Sequence, residues 1–184
     1  YGTIAVKHVS IIKRKYKNIK IVVYRSGKGT RKIDKNVDIV INSLKESLKY
    51  NISEVIICSP STNHLKEIKY FSSLNKKIFV EKPLTNLDIN NEIINLKNKK
   101  NLIFQIGYVF KFDDSLIFFR KLVKEKFVGK ILSVNINASS FLPKWRKIDY
   151  SKSVSANTNL GGGALLELSH EIDYLRWILG EIKS

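Results

Sequence analysis

Apolar positions alternate between two spacings over roughly the first hundred residues. Helical spacing is found over residues 4–16, 43–50, 61–74 and 86–98, whereas short apolar runs at 20–24, 54–58, 77–81 and 101–106 are typical of buried strands. Strands that alternate with helices indicate βαβ units and a parallel sheet. The pattern therefore predicts an α/β fold for this part of the chain.

The pattern changes after about residue 108. A helical stretch over 113–126 is followed by an alternating run at 131–138, which is typical of a half-buried strand, then by a polar loop and a helix that begins after three glycines. We therefore expect a domain boundary near residue 110, with one domain over 1–110 and the start of a second over 111–184.

The glycine-led segment carries the first candidate chemistry. Glu167, His170 and Asp173 follow Gly161–Gly163 at a spacing of three residues, which places their side chains on one face of a helix. Carboxylates beside an imidazole can transfer protons, since they adjust its pKa. The alternative is that His170 is a core or capping residue, because an apolar stripe follows the same helix.

A second candidate lies where the apolar run at 77–80 ends. Glu81, Lys82 and Pro83 follow it directly, and ligands of open α/β sheets bind at the carboxyl ends of strands. Pro83 restricts the backbone of Lys82, and a cis bond is accessible there. The alternative is an ordinary turn with a solvated lysine.

Four motifs in this order resemble the Gfo/Idh/MocA family of NAD(P)-dependent sugar oxidoreductases. They are Glu81-Lys82-Pro83, Gln105-Ile106-Gly107-Tyr108, Trp145-Arg146, and the three glycines with His170 and Asp173. The resemblance implies a Rossmann-type doubly wound parallel sheet, followed by a truncated α/β (α+β) domain with an open sheet. It also implies a homo-oligomeric full-length protein.

The start of the chain resembles the end of a G-x-G-x-x-G/A dinucleotide fingerprint. Gly2 would be its second glycine, and Thr3 and Ile4 would begin the helix whose N-terminus binds a pyrophosphate. We expect the first glycine and its strand to lie before residue 1, and most of the second domain's sheet to lie after residue 184.

The strand ending at Tyr24 bears on the choice of cofactor. An acid near such a strand end binds the ribose hydroxyls of NAD, whereas an arginine pairs with the 2′-phosphate of NADP. Arg25 and Ser26 stand here and no acid does, which favours NADP. The alternative is that Arg25 stacks on the adenine while NAD binds.

The resemblance implies further site residues. Those expected to line the cofactor are Ser59, Pro60, Asn63, His64, Glu81, Lys82, Gln105, Trp145 and Arg146, and those expected to contact the substrate are Lys82, Tyr108, Tyr150, His170 and Asp173. An equal alternative for His64 is a capping or surface position. The alternative for Trp145 and Arg146 is a solvated loop. His8 is expected to pack.

The activity implied is reversible hydride transfer between nicotinamide and a sugar carbon. His170 is the candidate general acid/base, and Lys82 would stabilise the developing alkoxide. Glu81 or Glu167 would orient or tune them, and Asp173 would fix either the imidazole or a substrate hydroxyl. Many members of the family carry an aspartate four residues before this histidine, where this chain has Leu166, so the role of Glu167 stays open. A non-catalytic NAD(P)-binding sensor is the alternative function.

The formal charge of +17 raises the question of nucleic-acid binding. Most of the 33 cationic residues are lysines spread along the chain, so we expect no specific nucleic-acid partner, and a basic module would show steeply salt-dependent affinity for DNA. The single cysteine, Cys58, and the three histidines lack metal-ligand spacing, so we expect no metal. The apolar runs are too short to span a membrane, and a cytoplasmic location follows from the expected reducing compartment.

Overall fold

The computed structural model describes residues 1–27, 32–86, 95, 102–145 and 149–182. Within these residues the chain divides into two compact units, which are described separately below. The first contains 1–59, 63–80 and 90–105, and the second contains 60–62, 81–89 and 106–184. No helix in the described ranges is both long and apolar enough to cross a membrane.

The first unit is built from short parallel strands and two long helices. In chain order these are α1 (Thr3–Lys15), β1 (Val22–Tyr24), β2 (Ile39–Ile41), a 3-10 segment (Leu44–Lys49), β3 (Glu54–Ile57), α2 (Ser61–Ser73), β4 (Lys77–Val80) and β5 (Phe104–Ile106). Helices that connect parallel strands are the arrangement predicted from the alternating pattern.

The strands form two small sheets. β1 and β2 pair in parallel with Val23 opposite Val40, and β3 pairs in parallel with β4 with Ile57 opposite Val80. β5 is the other neighbour of β4, and the N–H of Ile78 donates to the carbonyl of Ile103 at 2.9 Å.

The apolar core of this unit includes buried residues of the three-stranded sheet and of α2. Ile78 and Val80 are 2% and 0% exposed, and Ile57 is 3% exposed. Helix α2 contributes Ile68 and Phe71, both of which are buried. The sheet is thereby fixed at its centre, and the loops at its carboxyl ends begin from a rigid base.

The second unit is largely helical within its described residues. A 3-10 segment (Val109–Phe112) leads into α3 (Asp114–Lys124), where the Asp113 carboxylate accepts hydrogen bonds from the N–H groups of Ser115 and Leu116. Short 3-10 segments then lead to α4 (Ala164–Glu167) and α5 (Ser169–Leu179).

The predicted elements differ from the structure at four places. β2 was not predicted, the helix expected over 43–50 is a 3-10 segment, and the single helix expected after the glycines is divided at Leu168. Residues 131–138 form no strand although their pattern alternates, because a strand needs a hydrogen-bonded neighbour and the described residues supply none. Most of the helix expected over 86–98 lies outside the described residues.

Removal of buried side-chain volume from β4 should destabilise the first unit. Ile78→Ala leaves a cavity at a 2% exposed position, and we expect it to lower the free energy of unfolding by about 2–5 kcal/mol. Chemical denaturation measures this change. Ile103→Ala, at a 61% exposed position, is the control and should cost much less, so equal losses in both variants would contradict this core.

Candidate functional site

Lys82 is held by helix α4 in the second unit. Its ammonium donates a hydrogen bond to the backbone carbonyl of Glu167 at 2.6 Å, and it lies 3.7 Å from the Glu167 carboxylate. The exposed side-chain fractions are 18% for Lys82 and 23% for Glu167. The peptide bond between Lys82 and Pro83 is cis. The charged group of Lys82 is therefore fixed at two oxygens of one residue.

The break between α4 and α5 makes this contact possible. In an uninterrupted helix, the N–H of Glu171 would donate to the carbonyl of Glu167 four residues earlier. Here it donates to the carbonyl of Leu168 at 3.2 Å, and the backbone of Leu168 departs from helical geometry. The Glu167 carbonyl is left outside the helical ladder, where it accepts from Lys82.

Two of the three glycines are required, one by close backbone packing and one by its left-handed backbone conformation. A Cβ on Gly162 would lie 2.1 Å from the carbonyl oxygen of Val154, so only glycine fits there without a shift. Gly161 has a left-handed φ of +80°, and its carbonyl accepts from the Ser61 hydroxyl at 3.4 Å. The glycines thus bring other parts of this unit against the start of α4.

His170 lies on α5 within an aromatic surround. The ring of Tyr108 meets it edge-on at a centroid distance of 5.6 Å, and the ring of Phe110 lies 4.6 Å away. Its Nδ1 atom is buried and has no hydrogen-bond partner among the described residues. The imidazole is therefore oriented by packing, and its Nδ1 atom has unused hydrogen-bonding capacity.

The electrostatic environment lowers the pKa of His170 below its ordinary value. Burial is the largest cause, because it penalises the charged imidazolium, and the positive charge of Lys82 acts in the same direction. The carboxylates of Glu171, Asp173 and Glu81 oppose this effect. The neutral imidazole, which can accept a proton, is therefore favoured.

Asp173 is paired with a residue that sequence reasoning missed. Its Oδ1 atom lies 2.9 Å from the Lys111 ammonium, while its Oδ2 atom is buried without a hydrogen-bond partner among the described residues. Asp173 does not bond to Nδ1 of His170, as was one possibility. Lys111 belongs to the segment that follows the Gly107-Tyr108 motif, but nothing in the sequence indicates its pairing across so many residues.

The proposed pyrophosphate-binding end of α1 belongs to the first unit. Gly2 is the N-cap of a 13-residue helix, and a Cβ on Gly2 would meet no atom within 4 Å. The first turn carries no acidic residue, and Thr3 and Ile4 are exposed. An open, acid-free helix N-terminus is compatible with a bound phosphate group.

Other cofactor candidates follow β1 and β3. Arg25 is half-buried, and its backbone N–H donates to the carbonyl of Ile41 at 2.9 Å, whereas Ser26 is exposed. Pro60 is half-buried and Asn63 is exposed. His64 is not the surface residue that was one alternative to a cofactor-lining role, since it is only 1% exposed and its ring contacts the carbonyl of Ser59.

The remaining candidates lie on other elements of the two units. Gln105 is exposed on β5, and His8 packs edge-on against Phe79 in the first unit, as expected. Trp145 and Tyr150 lie together beside Leu142, and the Trp145 indole N–H donates to Ser140. Arg146 lies outside the described residues. No group of three His, Cys, Asp or Glu side chains suited to a metal ion occurs in the part of the chain that is described.

Two family models match the chain. Residues 1–108 match the model described as "Oxidoreductase family, NAD-binding Rossmann fold", and residues 118–184 match that of the "GFO/IDH/MocA C-terminal domain". Together with the parallel pairing of the strands, these matches confirm the expected fold class.

Two curated relatives and one solved structure are similar to the chain. The 2,7-anhydro-N-acetylneuraminate hydratase of Escherichia coli is 26% identical over 70% of this chain and 34% of its own length. The inositol 2-dehydrogenase of Rhizobium meliloti is 28% identical over 71% of this chain and 38% of its own length. The chain thus spans about a third of the length of these relatives.

The solved structure is the WlbA dehydrogenase of Chromobacterium violaceum in complex with NADH and UDP-GlcNAcA. It has a TM-score of 0.76 and 20% identity, and it covers 100% of this chain and 54% of the solved chain. At this identity the likeness establishes the fold alone.

Neighbouring charges should control the protonation of His170 in opposite directions. Glu171→Gln removes a carboxylate that raises the pKa of His170, so the pKa should fall further, and the ring should stay neutral to lower pH. Lys82→Met removes a cation that lowers this pKa, so the pKa should rise. NMR titration of the His170 ring measures both changes. Shifts in the same direction, or none, would contradict the described surroundings.

Proposed function

Because the chain belongs to the Gfo/Idh/MocA family of oxidoreductases, we propose that the full-length protein transfers a hydride between a nicotinamide dinucleotide and a sugar or sugar-derived polyol. The reaction interconverts a hydroxyl-bearing carbon and a carbonyl. One observation carries the proposal. The same compact unit contains the Lys82 ammonium, which is hydrogen-bonded in place, and the His170 imidazole, whose lowered pKa favours the neutral form.

Oxidation of an alcohol requires loss of the hydroxyl proton as the hydride leaves. His170 accepts this proton, since burial and the charge of Lys82 favour its neutral form. In the reverse direction, the imidazolium returns the proton to the carbonyl oxygen. Because Nδ1 of His170 lacks a hydrogen-bond partner among the described residues, it is the atom that we assign to the substrate hydroxyl.

Lys82 stabilises the oxygen on which negative charge develops. Its contacts with Glu167 use part of its donor capacity, and an ammonium has three N–H donors, so one remains for the substrate. Glu167 orients Lys82, and this assignment gives the glutamate a role although the family's usual aspartate is replaced by Leu166. The buried Oδ2 atom of Asp173 is suited to accept a hydrogen bond from a second substrate hydroxyl.

The first unit provides the features expected of a dinucleotide site. The open N-terminus of α1 at Gly2 would hold the pyrophosphate, and Ser59, which follows β3, would line the nicotinamide ribose. When bound, nicotinamide supplies or accepts the hydride. The likeness to a structure in complex with NADH supports a dinucleotide, and Arg25 with Ser26 favours the phosphorylated form, NADP.

Several wider assignments belong to the same proposal. The domain division near residue 110 separates dinucleotide binding from substrate binding, and we assign Tyr108 and Tyr150 to the substrate. The relative named as an inositol dehydrogenase supports a polyol, and the neighbour with a nucleotide sugar supports sugar metabolism. We further propose a cytoplasmic homo-oligomer without a specific nucleic-acid partner.

Loss of either proton-handling residue should abolish most turnover. We expect Lys82→Ala and His170→Ala each to lower kcat by about two to four orders of magnitude, while the dinucleotide Kd stays unchanged. Steady-state kinetics and fluorescence titration of the full-length protein measure the two quantities. Lys77→Ala, at an exposed ion pair with Glu54, is the control and should retain full turnover. Near-normal kcat in either test variant would remove the assigned role.

The choice of dinucleotide depends on Arg25 in this proposal. Arg25→Ala should raise KM for NADPH about tenfold or more and leave KM for NADH nearly constant, since a charge-assisted bond to the 2′-phosphate is lost. Arg14→Ala, in the last turn of α1, removes the same charge at another position and should leave the ratio of the two KM values unchanged. A wild-type preference for NADH would contradict the assignment to NADP.

A further inference from the structure

A buried polar cluster lies behind the carboxyl end of β3. It consists of Ser59, which follows the strand, and of His64 and Glu67, which lie one turn apart on α2. The exposed fractions of His64 and Glu67 are 1% and 8%. Both residues share the face of α2 that carries the buried Ile68 and Phe71. Polar groups at such depth are costly unless they form hydrogen bonds.

The cluster holds Ser59 by its backbone and by its side chain. Nε2 of His64 lies 2.8 Å from the carbonyl oxygen of Ser59, and because a carbonyl only accepts, Nε2 carries the hydrogen in this bond. The hydroxyl of Ser59 donates to Oε2 of Glu67 at 2.8 Å. One residue of the turn is thus tied to two successive turns of the same helix.

Burial of the Glu67 carboxyl group has a desolvation cost. Burial is the largest influence on Glu67 and raises its pKa, while the hydrogen bond from Ser59 and the nearby charges of His64 and Lys66 lower it. An apolar side chain would fill the same space without this desolvation cost. The contact with Ser59 is the feature that such a residue could not provide.

We propose that Glu67 is a positioning residue for dinucleotide binding, which acts by fixing Ser59 in the turn between β3 and α2. This inference rests on the proposed function, in which Ser59 lines the nicotinamide ribose. Pro60 follows with a restricted φ and no N–H, so the orientation of Ser59 largely determines the path of the backbone into α2. Glu67 itself is too deeply buried to meet the ligand.

The test compares three variants of the full-length protein. Glu67→Leu removes the acceptor for Ser59, whereas Glu67→Gln keeps an acceptor oxygen of the same reach without the charge. Ile68→Val is the control, since it trims a neighbouring 1% exposed side chain and lowers stability without touching the cluster. Measured quantities are KM and Kd for the preferred dinucleotide, kcat at saturation, and hydrogen exchange of the backbone amides at Ser59 and Ser61.

We expect Glu67→Leu to raise KM and Kd about three- to tenfold with kcat at saturation nearly unchanged, and to speed exchange at Ser59 and Ser61. Glu67→Gln should restore values close to wild type, and Ile68→Val should change neither affinity nor exchange. The inference is overturned if Glu67→Leu binds dinucleotide as wild type does, if Glu67→Gln is as impaired as Glu67→Leu, or if Ile68→Val weakens binding equally.

Binding by the wild-type protein distinguishes a failure of the proposed function from a failure of this inference. If the wild-type protein binds neither NADH nor NADPH, the proposed function is wrong and the role of Glu67 in binding falls with it. If the wild type binds and only the variant pattern disagrees, the dinucleotide site stands and Glu67 is a structural residue alone.

Discussion

The bond between the Lys82 ammonium and the carbonyl of Glu167 is the constraint on which the candidate site depends. It requires an acceptor that an intact helix would not offer, and the division between α4 and α5 at Leu168 supplies one. The close packing at Gly162 fixes where α4 begins. A lysine side chain has several rotatable bonds, and these contacts restrict the Lys82 ammonium to one orientation.

Two lysines of the second unit are paired with carboxylates. Lys82 is near Glu167, and Lys111 is bound to Asp173, while His170 lies among aromatic rings. Burial and the Lys82 charge lower the pKa of His170, and three carboxylates partly offset them. A proton acceptor that is neutral near physiological pH results from this balance, without a direct hydrogen bond to Nδ1 from the described residues.

Sequence reasoning predicted the parallel fold and the placement of Lys82 at a strand end, because both depend on local patterns. It could not predict the break at Leu168, since leucine is a good helix former and the apolar stripe continues through it. It also missed Lys111, whose pairing with Asp173 depends on tertiary packing. The alternating run at 131–138 gave a wrong prediction for a related reason, because strand formation depends on a neighbour that the pattern does not contain.

The most direct test of the account is isotope transfer by the full-length protein. Reduced nicotinamide dinucleotides, NADH and NADPH, with both C4 hydrogens replaced by deuterium would be incubated with a panel of keto-polyols and keto-sugars, free and nucleotide-linked. The products would be analysed by mass spectrometry. The account predicts carbon-bound deuterium in at least one alcohol product, lost in His170→Ala. Tight dinucleotide binding with no deuterium in any product across the panel would contradict it and favour a non-catalytic sensor.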